Sequence, residues 1–476
     1  MKVVLAIVAC AVLMMTSVLA DGLPTRHLFN ETPEQKEERL SWWTHDRFGM
    51  FIHFGLYSLP ARGEWVKMAE QMEDKAYDSY FKNFDPDLFD AKEWARMAKA
   101  AGMKYAVLTA KHHDGFCLWD SKFTDYKATN THSKRDIVKE FTEAFRAEGI
   151  RVGLYFSLLD WHHPDFTIDA RHPLRPQGCR PGNPAETVGG EATWARINAG
   201  KDMARYRQYM KDQVTELLTN YGKIDIIWFD FSYPKHRPYH LGKDHNDWDS
   251  KGLLELTRKL QPGIIVDNRL DLPDTTWGWD FLTPEQYKVP AWPKWKGIEA
   301  PWETCQTFSG SWGYHRDENT WKDMPQLIEL LVHSVANGGN LIMNVGPTAR
   351  GEFDARACDR LDGFAKWMHF NARSIYGCGV APEGFVAPSG TALTYNKETN
   401  RLYIHLYDYP MGNLPLEWLD RAEYAQFLHD GSELKFRNGP KIVHQQSGNT
   451  HDIGGIVLPM KKPPVEVPVI EVWLKK

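Results

Sequence analysis

Cysteine is scarce in this chain: six in 476 residues, no two of them spaced Cys-x-x-Cys. That excludes a disulfide-stapled scaffold and a zinc ribbon, and leaves room for at most one or two bridges. Long apolar runs are missing beyond the first twenty residues, which excludes a later membrane-spanning helix. A dominant charge is missing too. The formal balance is -5 with both signs interspersed, so there is no electrostatic case for nucleic acid or an anionic membrane as partner. No internal repeat or low-complexity segment interrupts the sequence.

What is present starts with a leader. Lys2, an apolar stretch from Val3 and the small-residue end Val18-Leu19-Ala20 read as a cleavable secretory signal over residues 1–20. The expected destination is secreted or periplasmic. Cys10 would leave with the leader. Aromatics reach 13%, with 19 Trp and 19 Tyr, a composition that suits sugar-stacking clefts as well as large cores.

The strongest signal is one pattern written six times, an apolar strand whose C-terminal tip turns polar. Phe51-Ile52 runs into His53, and Tyr105–Leu108 runs into Lys111, His112 and His113. Val152–Tyr155 leads to Asp160 and Trp161, and Ile224–Phe229 closes on Asp230. Ile264–Val266 leads to Asp267, Asn268 and Arg269, and Leu341–Met343 ends on Asn344. Continuous apolar runs suit strands buried on both faces of a parallel sheet. Polar residues gathered at such tips share one rim and read as an active site.

Helical spacing fills the intervals. Asp90 caps a helix that Gly102 ends, Ser133 is expected to open a second stopped by Gly149, and further helices run to Gly222, Pro262-Gly263 and Gly338-Gly339. Residues 21–375 therefore read as a (β/α) barrel of the (β/α)8 TIM type. An open doubly wound sheet is the alternative. Stretches 160–200 and 270–300 read as long loops over the rim. After Trp367 the pattern shifts to short alternating strands, such as Tyr403–Tyr407 and Pro468–Leu474, which predicts a β-sandwich over 376–476.

Two carboxylates stand out, Asp230 and Glu303, the latter in Pro301-Trp302-Glu303-Thr304-Cys305. Retaining cleavage of a glycosidic bond needs one carboxylate as nucleophile and one carboxylic acid as proton donor. Spacing alone leaves Asp230 equally readable as a helix cap, and Glu285 and Glu299 compete with Glu303. Adjacent His112 and His113 should point to opposite faces of a strand, which disfavours a shared metal and favours neutral hydrogen bonding to hydroxyls. No metal or cofactor is expected.

Six segments in this order carry a resemblance: Phe51–Ser58, Gly63-Glu64-Trp65, Thr109–Phe116, Trp228-Phe229-Asp230, Trp302–Cys305 and Trp312-Gly313-Tyr314, followed by Asn340–Pro347. Together they resemble the α-L-fucosidases of glycoside hydrolase family 29, from about residue 35 to Tyr376. The resemblance implies a barrel followed by a β-sandwich, retention without a metal, and a fucosylated oligosaccharide or glycoconjugate as substrate. It makes Asp230 the nucleophile and Glu303 the acid/base. It places His53, Glu64, Trp65, His112, His113, Tyr155, Trp228 and Arg269 around the sugar. Two positions depart from the family pattern, Phe54 where Trp is frequent and Phe231 where Gly is usual. Oligomeric state and linkage preference are not readable. The rival readings are a fucose-binding protein without catalysis and a related hydrolase acting on another sugar.

Overall fold

The six apolar runs and one polar strand, Glu303–Thr307, assemble into one curled parallel sheet. The computed structural model describes residues 31–179, 190–232, 242–272, 278–439, 441–443, 450–452 and 454–476. The leader and Asn30 lie outside them. The sheet strands are β1 (Phe48–Ile52), β2 (Tyr105–Lys111), β3 (Arg151–Ser157), β4 (Ile226–Asp230) and β5 (Ile265–Val266). A small exposed hairpin, β6 (Lys294–Trp295) and β7 (Ile298–Glu299), precedes β8 (Glu303–Thr307) and β9 (Asn340–Val345). Their spatial order is β5-β4-β3-β2-β1-β9-β8, every neighbour parallel.

The gap between β5 and β8 is bridged by residues 280–286, inside the stretch expected to be loop. Asp280 N donates to Val266 O, Leu282 N to Pro301 O, Glu303 N to Leu282 O, and Gln286 N to Cys305 O. Single parallel bridges join Asp267 to Phe281, Leu282 to Trp302, and Glu285 to Cys305. This ribbon is the eighth stave. Pro284 lacks an N–H, so no regular ladder can form through it.

Amphipathic helices wrap the sheet. Asp90 caps Ala91–Ala100, accepting from Lys92 N and Glu93 N. The second helix starts later than expected: Asp136, not Ser133, accepts from Lys139 N at the head of Ile137–Ala147. Ser133 instead hydrogen-bonds Thr131 in the preceding turn. Met203–Asn220, Ser250–Leu260 and Met324–Ala336 follow, each capped by an aspartate. Leu40 and Trp43 of the first helix, Pro33–Asp46, join Tyr105, Val107, Ile226, Ile265, Phe281, Cys305 and Ile342 in the barrel interior.

The architecture changes at Cys378. There a five-stranded antiparallel sheet begins, in the order Cys378–Gly379, Thr391–Asn396, Arg401–Leu406, Val469–Leu474, Ala422–Phe427. A three-stranded sheet of Asn413–Pro415, Gly455–Val457 and Phe436–Arg437 faces it across Leu402, Ile404, Leu414, Trp418, Ile456 and Val472. Arg401–Leu406 is buried on both sides because Tyr403 packs into the barrel's core while Leu402, Ile404 and Leu406 pack into the sandwich's. Cys117, Cys305, Cys358 and Cys378 are free thiols.

Candidate active site

Period-2 alternation decides which side chains fill the barrel, and strand direction decides how deep they sit. Along β4, Ile226, Trp228 and Asp230 share the inward face, with Asp230 uppermost. Tyr155 on β3 pairs with Trp228 in register, and Ser157 pairs with Asp230. His53 continues β1 past its end, donating its N–H to Val345 O at 3.0 Å. A rim pocket of about 430 Å³ opens above these residues. It is lined by Phe51, His53, Glu64, Trp65, His112, His113, Tyr155, Trp228, Asp230, Phe231, Arg269, Glu285, Cys305 and Trp312. Nine of the ten residues expected at the site are therefore gathered here.

Glu303 is the tenth, and it is not in the pocket. It begins β8 rather than ending it, so it lies two residues below Cys305, which forms part of the pocket floor. At about 3.3 Å per residue that is a drop of roughly 6–7 Å. Glu303 is 0% exposed, and its Oε2 accepts from the hydroxyl of Tyr105, the first residue of β2. The expectation that Glu303 faces the sugar is corrected: it sits at the closed end of the barrel.

Glu285 lines the pocket instead. It is the upper residue of the closing ribbon, in register with Cys305, and its side chain is 45% exposed. Arg269 links it to Asp230. Nη1 donates to Asp230 Oδ1 at 2.9 Å, and Nη2 donates to Glu285 Oε2 at 2.9 Å. One guanidinium fork and two hydrogen bonds therefore span the carboxylates, roughly 8 Å at full stretch. Arg269 is itself fixed, with Nε on Thr283 Oγ1 at 2.9 Å and its guanidinium 4.4 Å from the Trp228 ring centroid. The second oxygen of Asp230 accepts from Tyr155 OH at 2.9 Å.

The histidines are held neutral. Burial pushes His53 and His113 down to about 3, and His112 well below the usual range. Their neighbours then fix the tautomers. Asn344 Nδ2 donates to Trp312 O, which turns Asn344 Oδ1 toward His53 Nδ1 at 2.6 Å. Ser157 donates its hydroxyl to Leu159 O, so it accepts from His113 Nδ1 at 2.7 Å. Both rings therefore carry the proton on Nδ1 and leave Nε2 as a bare acceptor. His113 Nε2 lies 3.9 Å from Asp230 Oδ2. His112 and His113 do not diverge as strand neighbours would. The β2 register shifts between Thr109 and Lys111, and both rings lie past the strand end, 4.0 Å apart.

Glu64 closes another side. Its Oε2 accepts from Gly313 N at 2.8 Å, and burial raises its pKa against three backbone donors. Trp65 packs edge-on against His113, Trp161 and Phe231. Phe54, by contrast, is buried away from the pocket against Phe84, Phe89 and Trp94. Trp312, 5.2 Å from His53, is a further wall of the pocket, signalled in the sequence only by its Trp-Gly-Tyr segment. Among the described residues no group of three or more potential ligands could hold a metal ion.

Acceptors for hydroxyls, an aromatic wall and two carboxylates on one arginine describe a pocket for a single sugar. Comparison with known proteins agrees. The α-L-fucosidase family model matches residues 21–373. α-L-Fucosidase isoenzyme 1 from Paenibacillus thiaminolyticus is similar at 40% identity, covering 93% of this chain and 100% of its own, with a TM-score of 0.80. A Bacteroides thetaiotaomicron α-L-fucosidase of family 29 matches at 27% identity over 92% of this chain and 96% of its own, with a TM-score of 0.74. That enzyme was trapped as a covalent intermediate with 2-fluoro-fucosyl fluoride. Human plasma α-L-fucosidase is 30% identical over 380 residues, 73% of this chain and 72% of the relative. With the model spanning most of the chain and the pocket built to suit, this protein belongs to the α-L-fucosidase family.

Proposed function

We propose that this protein hydrolyses terminal α-L-fucosyl residues from glycans or glycoconjugates with retention, Asp230 being the nucleophile and Glu285 the acid/base. The observation that carries the reading is the single Arg269 guanidinium bonded to both carboxylates at the mouth of a one-sugar pocket. An Asp230 oxygen attacks the anomeric carbon as the bond to the leaving oxygen breaks, and Glu285 gives that oxygen its proton. In the second step Glu285 takes a proton from water, the water oxygen attacks the same carbon, and Asp230 is released.

Arg269 serves both steps by positioning: its planar fork holds Asp230 and Glu285 on one guanidinium, each at 2.9 Å. Imidazole Nε2 acceptors, Glu64 and the Trp65 indole face the sugar hydroxyls, and aromatic surface suits the C5 methyl. A sugar lacking a matching hydroxyl would leave those buried acceptors unpaired, which costs far more than a missing apolar contact.

The test is stereochemical. Proton NMR of aryl α-L-fucoside hydrolysis should show α-L-fucose as the first-formed product, before mutarotation. Initial β-L-fucose would overturn the double displacement. The leader is part of the proposal: the mature protein is exported and begins at Asp21, which N-terminal sequencing of the secreted product would check.

A further inference from the structure

Glu303, removed from the chemistry by its depth, stands at the end of a directed chain of hydrogen bonds across the barrel base. Arg47 Nη1 donates to Gly338 O at 2.9 Å and, at 3.4 Å, to Asn340 Oδ1. Asn340 Nδ2 donates to Trp43 O at 2.8 Å and, at 3.3 Å, to the Tyr105 hydroxyl. Tyr105, whose own proton is held by burial, donates to Glu303 Oε2. Every link points toward the carboxyl, and aligned bonds of this kind strengthen one another in a low-dielectric interior. Tyr105 can cross the base only because residue 49 is glycine. A Cβ there would meet the Tyr105 ring at 2.2 Å.

Glu303 Oε1 completes no hydrogen bond, and neither do the buried indole N–H groups of Trp43 and Trp228. Both indoles nevertheless lie close enough to oppose the burial that pushes Glu303 up to about 7. Trp228 is the floor of the sugar pocket, and its face carries Arg269 at 4.4 Å.

We propose that Glu303 is a positioning residue. Through the Trp228 indole it fixes the surface on which Arg269 holds Asp230 and Glu285. The proposal rests on the fucosidase reading above. It takes Glu303 out of proton transfer and makes it the support that orients the guanidinium from below.

The experiment is a double-mutant cycle on the full chain, measuring kcat and KM for a series of aryl α-L-fucosides. The proteins compared are the wild type, Glu303→Gln, Trp228→Phe and the double variant. Each single variant should lose about tenfold in kcat, the scale of an outer support of a reacting group, with KM little changed. The loss should be the same for good and poor leaving groups, added azide should restore none of it, and the double variant should be no worse than the poorer single. Multiplying losses in the double variant would overturn the proposal, as would a Glu303→Gln enzyme matching the wild type. Azide rescue, or a loss confined to poor leaving groups, would instead make Glu303 the acid/base. If Glu303→Gln fails to fold, Tyr105→Phe, which removes one hydroxyl, takes its place in the cycle. A wild type inactive on every fucoside would defeat the fucosidase reading and not this inference.

Discussion

The two ends of the barrel each hold a carboxylate on an inward-facing position, and their surroundings differ in kind. Asp230 at the open end meets a guanidinium, a phenol and a nearby imidazole, with 11% of its side chain exposed. Glu303 at the closed end has a phenol and two indoles for company, and burial raises its pKa. A carboxylate held by a guanidinium at the mouth of a pocket is placed to meet a substrate. One surrounded by neutral donors in an apolar base is better suited to holding a proton and a shape. Residue type therefore says less about role than depth along the strand does.

The sharpest way to break this contrast is Asp230→Ala. It should cost on the order of a hundred-thousand-fold in kcat, as loss of a nucleophile does elsewhere, with azide restoring turnover as β-L-fucosyl azide. Full activity would show that the open-end carboxylate is not the nucleophile. Next comes Glu285→Gln, expected to lose about 10²- to 10⁴-fold. The loss should be worst on poor leaving groups, and azide should yield α-L-fucosyl azide. Equal loss on all leaving groups would exclude Glu285 as the proton donor.

Arg269→Lys tests the shared guanidinium. A point charge cannot bond both carboxylates as a fork does, and a misplacement of this kind costs about a hundredfold. Retained kcat with unchanged leaving-group dependence would separate the carboxylates from their arginine.

A thermal comparison sharpens the other end. The folded-state pKa of Glu303 is raised from 4.5 to about 7, so the folded protein binds that proton more tightly than the unfolded chain. Its contribution to stability is fully present below pH 4.5 and is lost as pH rises through about 7. Glu303→Gln should abolish this loss. Between pH 4.5 and 7.5 the wild-type Tm should fall relative to the variant's, and parallel curves would contradict the assignment. The smallest effect is at Phe231, beside Asp230. Phe231→Gly should change KM for bulky aglycones by less than about tenfold and leave methyl or small aryl fucosides nearly unaffected, as initial rates would show.

Much of this was legible in the chain because buried parallel strands are apolar on both faces. Runs such as Ile226–Phe229 declare themselves, and a carboxylate ending the run must lie at the rim. Glu303 misled because its strand, Glu-Thr-Cys-Gln-Thr, is not an apolar run. Nothing in its composition tells which end is which, yet Glu303 opens the strand where Asp230 closes its own. The eighth stave was hidden for a related reason. Residues 280–286 contain Pro284 and pair through isolated bridges, so they read as loop, and Glu285 is legible only as one of three competing glutamates. The tautomers of His53 and His113 depend on Asn344 and Ser157, partners brought in from β9 and β3, which local sequence cannot reveal.

That irregular stave has an engineering consequence. Because the ribbon is stitched in by few bonds and is flanked by the exposed β6–β7 hairpin, the wall carrying Glu285 is joined to the rest like a gate to its post. Grafting segments between residues 287 and 300 should reshape the entrance for different leaving groups while the other seven staves stay as they are.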